Sequence, residues 1–187
     1  MAKFRIVSIT PTSEGETEPV TVTELKAYLQ LTGTGYDGPL GTMITAARKQ
    51  IENYTNVSLV EKTLRFVVRN TGTDKPFPLP FPPIVDVESL TFKRCRSTSV
   101  IQTYETDWWF IDPDATYKQI ICNNSTFGSD QFLTVVYTTE PPTLIAPWKQ
   151  AILSQAGYMY NNRDADRDLI MAPECKNLID SMRNNYF

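Results

Sequence analysis

Histidine is absent from the 187-residue sequence. Its absence excludes Ser–His and Cys–His nucleophile pairs, and zinc sites that use histidine ligands. It also removes the side chain that most often serves as a general base near neutral pH. Any catalysis would therefore depend on carboxylates, lysine, tyrosine or cysteine.

Cysteine is scarce, with three residues at Cys95, Cys122 and Cys175. Their number is odd and none is close enough to another to form a CxxC motif. This spacing excludes a thiolate zinc cage and a thioredoxin-like redox motif. We expect three reduced thiols that pack as small apolar side chains.

Long apolar runs and an excess of basic residues are also missing. No stretch reaches the length of a transmembrane helix, and the first residues lack the apolar region of a signal peptide. We therefore expect a protein that is made in the cytoplasm and has no membrane partner. The net charge is −3 and the isoelectric point about 5.1, which argues against a domain that grips DNA or RNA.

The sequence contains signals for helices at both ends. Thr21 and Glu24 have the spacing of a capping box, and the helix that they begin is predicted to run to about Leu31. A second helix is predicted from Asp37, as N-cap, to a left-handed residue at Asn56. Two further helices are predicted after residue 140, the last one starting at Pro173.

Between these helices the hydrophobic period changes from about four residues to two. Short strands are predicted over residues 61–139, with a proline-rich edge strand or polyproline segment at 76–83 and a bulge in the strand that follows. The predicted fold class is α+β, a helical bundle with an inserted antiparallel β sandwich or barrel-like domain. The chain is expected to divide into an extended N-terminal arm at 1–19, a helical core at 20–60 and 140–182, the β domain at 61–139 and a C-terminal arm at 183–187.

Three motifs have the residue types of binding or catalytic sites but not their context. The GxGxxG string at residues 33–38 follows a predicted helix, whereas dinucleotide binding needs it after a strand. The alternating Asp164, Asp166 and Asp168 lack the glycine and glutamate of a calcium loop. Carboxylate pairs such as Asp112 and Asp114 are typical of turns. We therefore predict no catalytic residue, no metal site and no cofactor.

An aromatic run at Trp108, Trp109 and Phe110 lies in a predicted strand. Consecutive strand residues point to opposite faces, so both faces of this strand have apolar groups to cover. One face is explained by the core. The other is either an exposed contact for a ligand or subunit or is covered by a second layer, and the sequence leaves both interpretations open.

The order of these segments resembles bacteriophage head–tail connector proteins, also called adaptor or head-completion proteins. The resemblance rests on the helices at residues 19–29 and 46–56, the strand start at 79–87 and the strand end at 135–137 before Pro141 and Pro142. It extends to the helix that begins at Trp148. One departure is Asn56, where the family usually has glycine, and a left-handed asparagine can occupy such a position.

The resemblance implies a virion structural protein at the neck and no enzyme. Such proteins assemble as a ring, usually of twelve copies, under the portal protein and provide a platform for the next neck or tail protein. DNA passes through the channel without specific binding, and an acidic chain fits that role.

Two contact sites are hypothesised from this role. The C-terminal arm is expected to dock on the portal, and the aromatic run Trp108–Phe110 to contact the neck partner or a neighbouring subunit. The residues of the arm are Arg183, Asn184, Asn185, Tyr186 and Phe187. The alternative functions are a β-sandwich ligand-binding or receptor-side module and, less favoured, a carboxylate-based hydrolase, which would need two acids converging in a cleft.

Overall fold

The computed structural model describes eight segments of the chain, and all structural statements below concern these residues. They are 4–70, 76–94, 102–103, 109–111, 119–122, 131–143, 146–163 and 171–183. The chain divides into two units. The β unit contains Met1–Glu14 and Glu61–Glu140, and the helical unit contains Gly15–Val60 and Pro141–Phe187. The chain thus passes between the units three times, after Glu14, Val60 and Glu140.

The β unit contains two antiparallel sheets. One has five strands in the order β1-β2-β8-β4-β5, and the other has three in the order β3-β7-β6. The strands are β1 (Phe4–Glu14), β2 (Lys62–Asn70), β3 (Pro76–Pro78), β4 (Ile84–Arg94), β5 (Gln102–Thr103), β6 (Trp109–Ile111), β7 (Gln119–Cys122) and β8 (Gln131–Thr139).

A period of two along β2 and β8 produces the core of the five-stranded sheet. On β2, Leu64, Phe66 and Val68 are buried, whereas the intervening Arg65 is exposed. The side chain of Tyr137 on β8 is also buried in this core, where its hydroxyl donates a hydrogen bond of 2.7 Å to the carbonyl of Pro80. Burial raises the pKa of Tyr137, so this hydroxyl remains a donor. The core residues are Leu64, Phe66, Val68, Leu79, Ile84, Val87, Leu133, Val135 and Tyr137.

The α+β class is confirmed, but the barrel is not. Among the described strands, β1 and β5 are the ends of the five-stranded sheet and do not pair with each other, so this sheet is open. Two predicted strand features are present: β3 is an edge strand, and the register of β4 shifts at two places, as in a bulge.

The N-terminal segment differs from the expected arm. Phe4–Glu14 is extended, as predicted, but it is a strand of the sheet because it pairs along its whole length with β2. Pro11 is tolerated there because β1 is an edge strand, where one side of the backbone needs no ladder partner.

The helical unit contains α1 (Val22–Leu29), α2 (Asp37–Thr55), α3 (Ala146–Asn161) and α4 (Pro173–Arg183). The apolar faces of all four helices meet in one core. Its residues include Val20, Leu25, Leu40, Ile44, Ala47, Ile51, Trp148, Ala151, Ile152, Ala156, Met159, Cys175 and Ile179. No helix within the described ranges is long and apolar enough to span a membrane.

The capping box of α1 is confirmed. The Glu24 amide donates to the Thr21 hydroxyl, and the Thr21 amide donates 2.7 Å to the Glu24 carboxylate. The helix ends two residues before the predicted Leu31, because Gln30 adopts a left-handed conformation with φ of 56°.

The start of α2 also differs from the prediction, whereas its end does not. Asp37 is the first helical residue and not the N-cap, which is Tyr36 without a side-chain cap. The Asp37 carboxylate instead accepts a 2.8 Å hydrogen bond from Lys26 of α1. At the other end Asn56 is left-handed, with φ of 57°, as its sequence position indicated.

Candidate functional site

The aromatic run predicted as a contact lies partly within β6. Trp109 and Phe110 occupy consecutive positions of this strand, opposite Cys122 and Ile121 of β7. Because the order of the small sheet is β3-β7-β6, the run is at a sheet edge among the described strands. Trp108 lies outside the described residues. The contact role of this run therefore stays a prediction.

The predicted portal-docking arm begins where α4 ends. Arg183 is the last residue of this helix, and residues 184–187 lie outside the described part of the chain. The docking role of the arm also stays a prediction.

The catalytic and metal-binding motifs provide no described site. The glycine string at 33–38 begins in the loop after α1 and ends in the first two residues of α2, so it follows a helix and not a strand, as expected. The aspartates at 112, 114, 164, 166 and 168 are outside the described residues. Within the described residues, no group of three or more cysteine, aspartate or glutamate side chains is placed to hold a metal ion.

A cleft of about 310 Å³ opens on the helical unit. It lies beside Gly157 of α3, where an added Cβ would be 3.0 Å from the ring of Tyr28. Glu174 is the one carboxylate among its described lining residues, so an acid–base pair is not assembled there. The cleft is lined by Tyr28, Ser154, Gly157, Tyr158, Asn161, Ala172, Pro173 and Glu174.

The main polar feature of the helical unit is an ionic cluster of Glu18, Arg48 and Glu52, in which Arg48 and Glu52 are buried. We call it the Arg48 cluster. The Arg48 side chain is 3% exposed and donates from Nε to Glu18, at 2.7 Å, and from Nη1 to Glu52, at 2.9 Å. The Glu52 side chain is 2% exposed, and its other oxygen accepts the backbone N–H of Leu59 at 2.8 Å. Every oxygen of both carboxylates thus has a donor, because the Thr45 hydroxyl and Arg48 Nη2 bind the second Glu18 oxygen.

The Arg48 cluster joins α2 to two segments of the helical unit, each of which lies next to a point where the chain passes between the units. Glu18 lies shortly after the crossing at Glu14, and Leu59 shortly before the crossing at Val60. A buried ion pair contributes little net stability but penalises any arrangement that separates its charges. The cluster therefore fixes where these two segments lie against α2.

The sequence analysis missed the Arg48 cluster, although the sequence contains a signal for it. Leu40, Ile44, Arg48 and Glu52 follow one another at intervals of four, so they share one ridge of α2. Two opposite charges that continue an apolar ridge at this spacing indicate a buried pair.

A second polar contact joins three parts of the helical unit. The buried Gln155 of α3 donates to the side chain of Gln50 on α2 at 2.9 Å. Its carbonyl oxygen accepts the backbone N–H of Ala172, just before α4, at 2.8 Å. Since a buried amide without partners is costly, this contact favours one arrangement of the three segments.

The outer face of the five-stranded sheet, opposite its core, has charges of opposite sign at its two ends. Arg5 on β1 is directly opposite Arg69 on β2, and the exposed Arg65 is on the same face. Toward the beginning of β4 the exposed charges are Asp86 and Glu88, and Glu88 accepts a 2.8 Å hydrogen bond from Thr138. The two ends would therefore attract partners of opposite charge.

Comparison with known proteins shows which family and which solved structures this chain resembles. A model of the phage gp6-like head-tail connector protein family matches residues 19–107, a range that includes helices α1 and α2 and strands β2 to β5. The resemblance to head–tail connector proteins stated from the sequence is thereby confirmed. No match was found among curated proteins.

Solved structures with the same fold cover nearly the whole chain. A chain from "Virion of native gene transfer agent (GTA) particle" has a TM-score of 0.72 and 18% identity, over 94% of each chain. A chain from "Neck of empty GTA particle computed with C6 symmetry" has a TM-score of 0.71, with the same identity and coverage. A chain from the neck of the native particle computed with C12 symmetry has a TM-score of 0.62 and 18% identity, over 90% of this chain and 92% of that one. At this identity the likeness shows a common fold.

Proposed function

We propose that this protein is a virion structural protein of the neck, located at the head–tail interface. Copies of it form a ring that docks under the portal protein and extends the DNA channel. The ring provides a platform for the next neck or tail protein. Its role is mechanical and not enzymatic.

The observation that carries this proposal is the agreement between the family match and the fold. The family is described as head-tail connectors, and the similar chains come from particles described as virions and necks. The necks were computed with C6 and C12 symmetry, which supports an oligomeric ring, and we propose twelve copies.

The polar contacts of the helical unit suit a subunit that must keep its shape under load. The Arg48 cluster and Gln155 each bind more than one segment, so a displaced helix would leave buried polar groups without partners. The net charge of −3 per copy, repeated around a ring, disfavours adhesion to DNA that must slide through the channel.

We further propose two contacts within the neck. Residues 183–187 continue from α4 and dock on the portal, with Tyr186 and Phe187 as anchors. The run Trp108–Phe110, of which Trp109 and Phe110 lie on β6, contacts the next neck protein or a neighbouring subunit. Deleting residues 183–187 is expected to weaken portal binding, and Trp109→Ala to weaken neck assembly. Unchanged binding in either experiment would contradict the contact concerned.

The particle mass of the full chain, alone and with rings of the portal protein from the same phage, tests the proposal. We expect a discrete complex in which several copies of this chain bind one portal ring. A persistent monomer with no affinity for the portal would overturn the proposed function. A variant with Val20→Asp, which puts a charge in the helical core, provides a control for complexes that form without folding.

A further inference from the structure

The five-stranded sheet has two open edges among the described strands. One is β1, which pairs with β2 on one side and with no described strand on the other. The other is the first part of β4, since β5 pairs only with Thr91 and Phe92 of that strand. An open edge presents unpaired N–H and C=O groups and is a template for adding another strand.

Both open edges expose aliphatic side chains. Ile6 and Val7 on β1 are 55% and 52% exposed, and Val85 on β4 is 51% exposed. They are the large aliphatic side chains exposed in the described part of the chain; Tyr28 and Tyr36 are the exposed aromatic ones. Val7 and Val85 each lie at a register shift, where the pairing with the inner strand is interrupted. Apolar groups concentrated at two sheet edges indicate surfaces that are covered in an assembly.

The charges of the two edges are opposite. Residues 4–10 of β1 contain Arg5 as their one charged side chain, and residues 84–89 of β4 contain Asp86 and Glu88. All three side chains are exposed. Each edge therefore repels a copy of itself and attracts the other.

We propose that neighbouring copies of this chain join edge to edge, β1 of one copy beside the first part of β4 of the next. This inference rests on the ring of the proposed function and names its subunit contact. Because β1 and β4 run in opposite directions within the sheet, the added strand is antiparallel to β4. Since β5 already occupies Thr91 and Phe92, β1 is staggered toward Ile84, which brings Arg5 near Asp86 and Glu88.

Neighbouring copies of this chain can cover both open edges, since each copy offers β1 to one neighbour and β4 to the other. A closed ring needs two different surfaces that meet each other, repeated around an axis. The two edges differ in sequence and charge, belong to one sheet and lack partners of their own among the described strands. A contact of β1 with β1 would set Arg5 against its own copy and would end at a dimer.

Cross-linking between engineered cysteines tests the contact. Val7→Cys and Val85→Cys are introduced singly and together into the full chain with Cys95→Ser and Cys122→Ser; Cys175 is buried and remains. A short bis-maleimide is added to the protein, alone and bound to portal rings, and ring formation is followed by electron microscopy. The double variant is expected to give a ladder of covalent multimers. Each single variant is expected to stay monomeric on a denaturing gel, and a mixture of both to stop at dimers.

Arg65→Cys combined with Val85→Cys is the matched control, because Arg65 is also exposed but lies on β2, inside the sheet. This pair is expected to give no ladder. Rings without a ladder from the Val7 and Val85 pair would overturn the edge contact and leave the proposed function standing. Covalent dimers of Val7→Cys alone would overturn it in favour of a β1–β1 contact. Absence of any ring or portal complex would overturn both the edge contact and the proposed function.

Discussion

Removing the guanidinium of Arg48 is the most informative perturbation of the helical unit. In Arg48→Met the aliphatic part of the side chain is retained and the guanidinium is lost. Glu52, 2% exposed, then keeps the backbone donor from Leu59 but loses the guanidinium of Arg48. Glu18 is affected less, because it is 25% exposed and keeps the Thr45 hydroxyl as a donor.

The expected cost follows from the charge that remains buried. Breaking a buried pair by removing one partner costs about 3–5 kcal/mol of the free energy of unfolding. For a chain of this length each 1 kcal/mol lowers the melting temperature by about 2–4 °C, so a decrease of at least several degrees is expected. Thermal and urea unfolding followed by circular dichroism at 222 nm measures the loss, because this signal is dominated by α1–α4.

The double variant Arg48→Met with Glu52→Gln isolates the electrostatic part of the stability that Arg48→Met loses. The introduced glutamine carries no charge, yet its side-chain carbonyl oxygen can still accept the Leu59 N–H. The double variant should therefore be more stable than Arg48→Met alone, since an uncharged pair has a much smaller desolvation cost. A loss below about 1 kcal/mol for Arg48→Met, or a double variant that is no more stable than Arg48→Met, would show that the buried charge of Glu52 does not depend on Arg48.

Three further variants test local features, each measured by equilibrium unfolding. Thr21→Ala removes the hydroxyl that caps α1 and should cost about 1 kcal/mol at pH 7. Hydrogen bonds from the Thr21 amide and hydroxyl hold the pKa of Glu24 below its ordinary value of 4.5, and the variant loses only the hydroxyl bond, which is the smaller of the two causes. The advantage of the native chain should therefore shrink only in part as pH falls below 4.5, and an advantage wholly unchanged at pH 3 would contradict a contribution of the hydroxyl to this pKa. Gly157→Val should cost about 1–3 kcal/mol by clashing with the Tyr28 ring, and adding Tyr28→Ala should recover most of the loss, whereas an unrelieved double variant would point to another clash. Tyr137→Phe leaves the Pro80 carbonyl without its donor and should cost about 1–3 kcal/mol, whereas an unchanged stability would show that this bond contributes nothing.

Local patterns were sufficient to predict most elements of this fold. The capping box at Thr21, the left-handed Asn56 and the alternation along β2 depend on neighbours within a few residues, so the sequence contains the information. The same holds for the bulged β4 and for the proline-rich β3 at a sheet edge.

Features that depend on distant partners were predicted less well. The segment Phe4–Glu14 was expected to be an arm because nothing within it indicates a partner, and β2, which pairs with it, begins 48 residues after β1 ends, at Lys62. Asp37 was expected to cap α2, but Lys26 of α1 binds its carboxylate. The Arg48 cluster was missed because Glu18 is polar and lies in a segment without periodicity. For β1 and for Asp37, a tertiary contact that no local pattern contains decided the outcome. For the Arg48 cluster this holds only of the Glu18 contact, because the spacing of Arg48 and Glu52 is local.

The most direct test of the central claim is a reconstruction of the neck of the intact particle by electron cryo-microscopy. We expect one ring of this chain against the portal, with twelve copies and with β1 of each copy beside β4 of the next. A neck without this chain, or this chain found elsewhere in the particle, would contradict it.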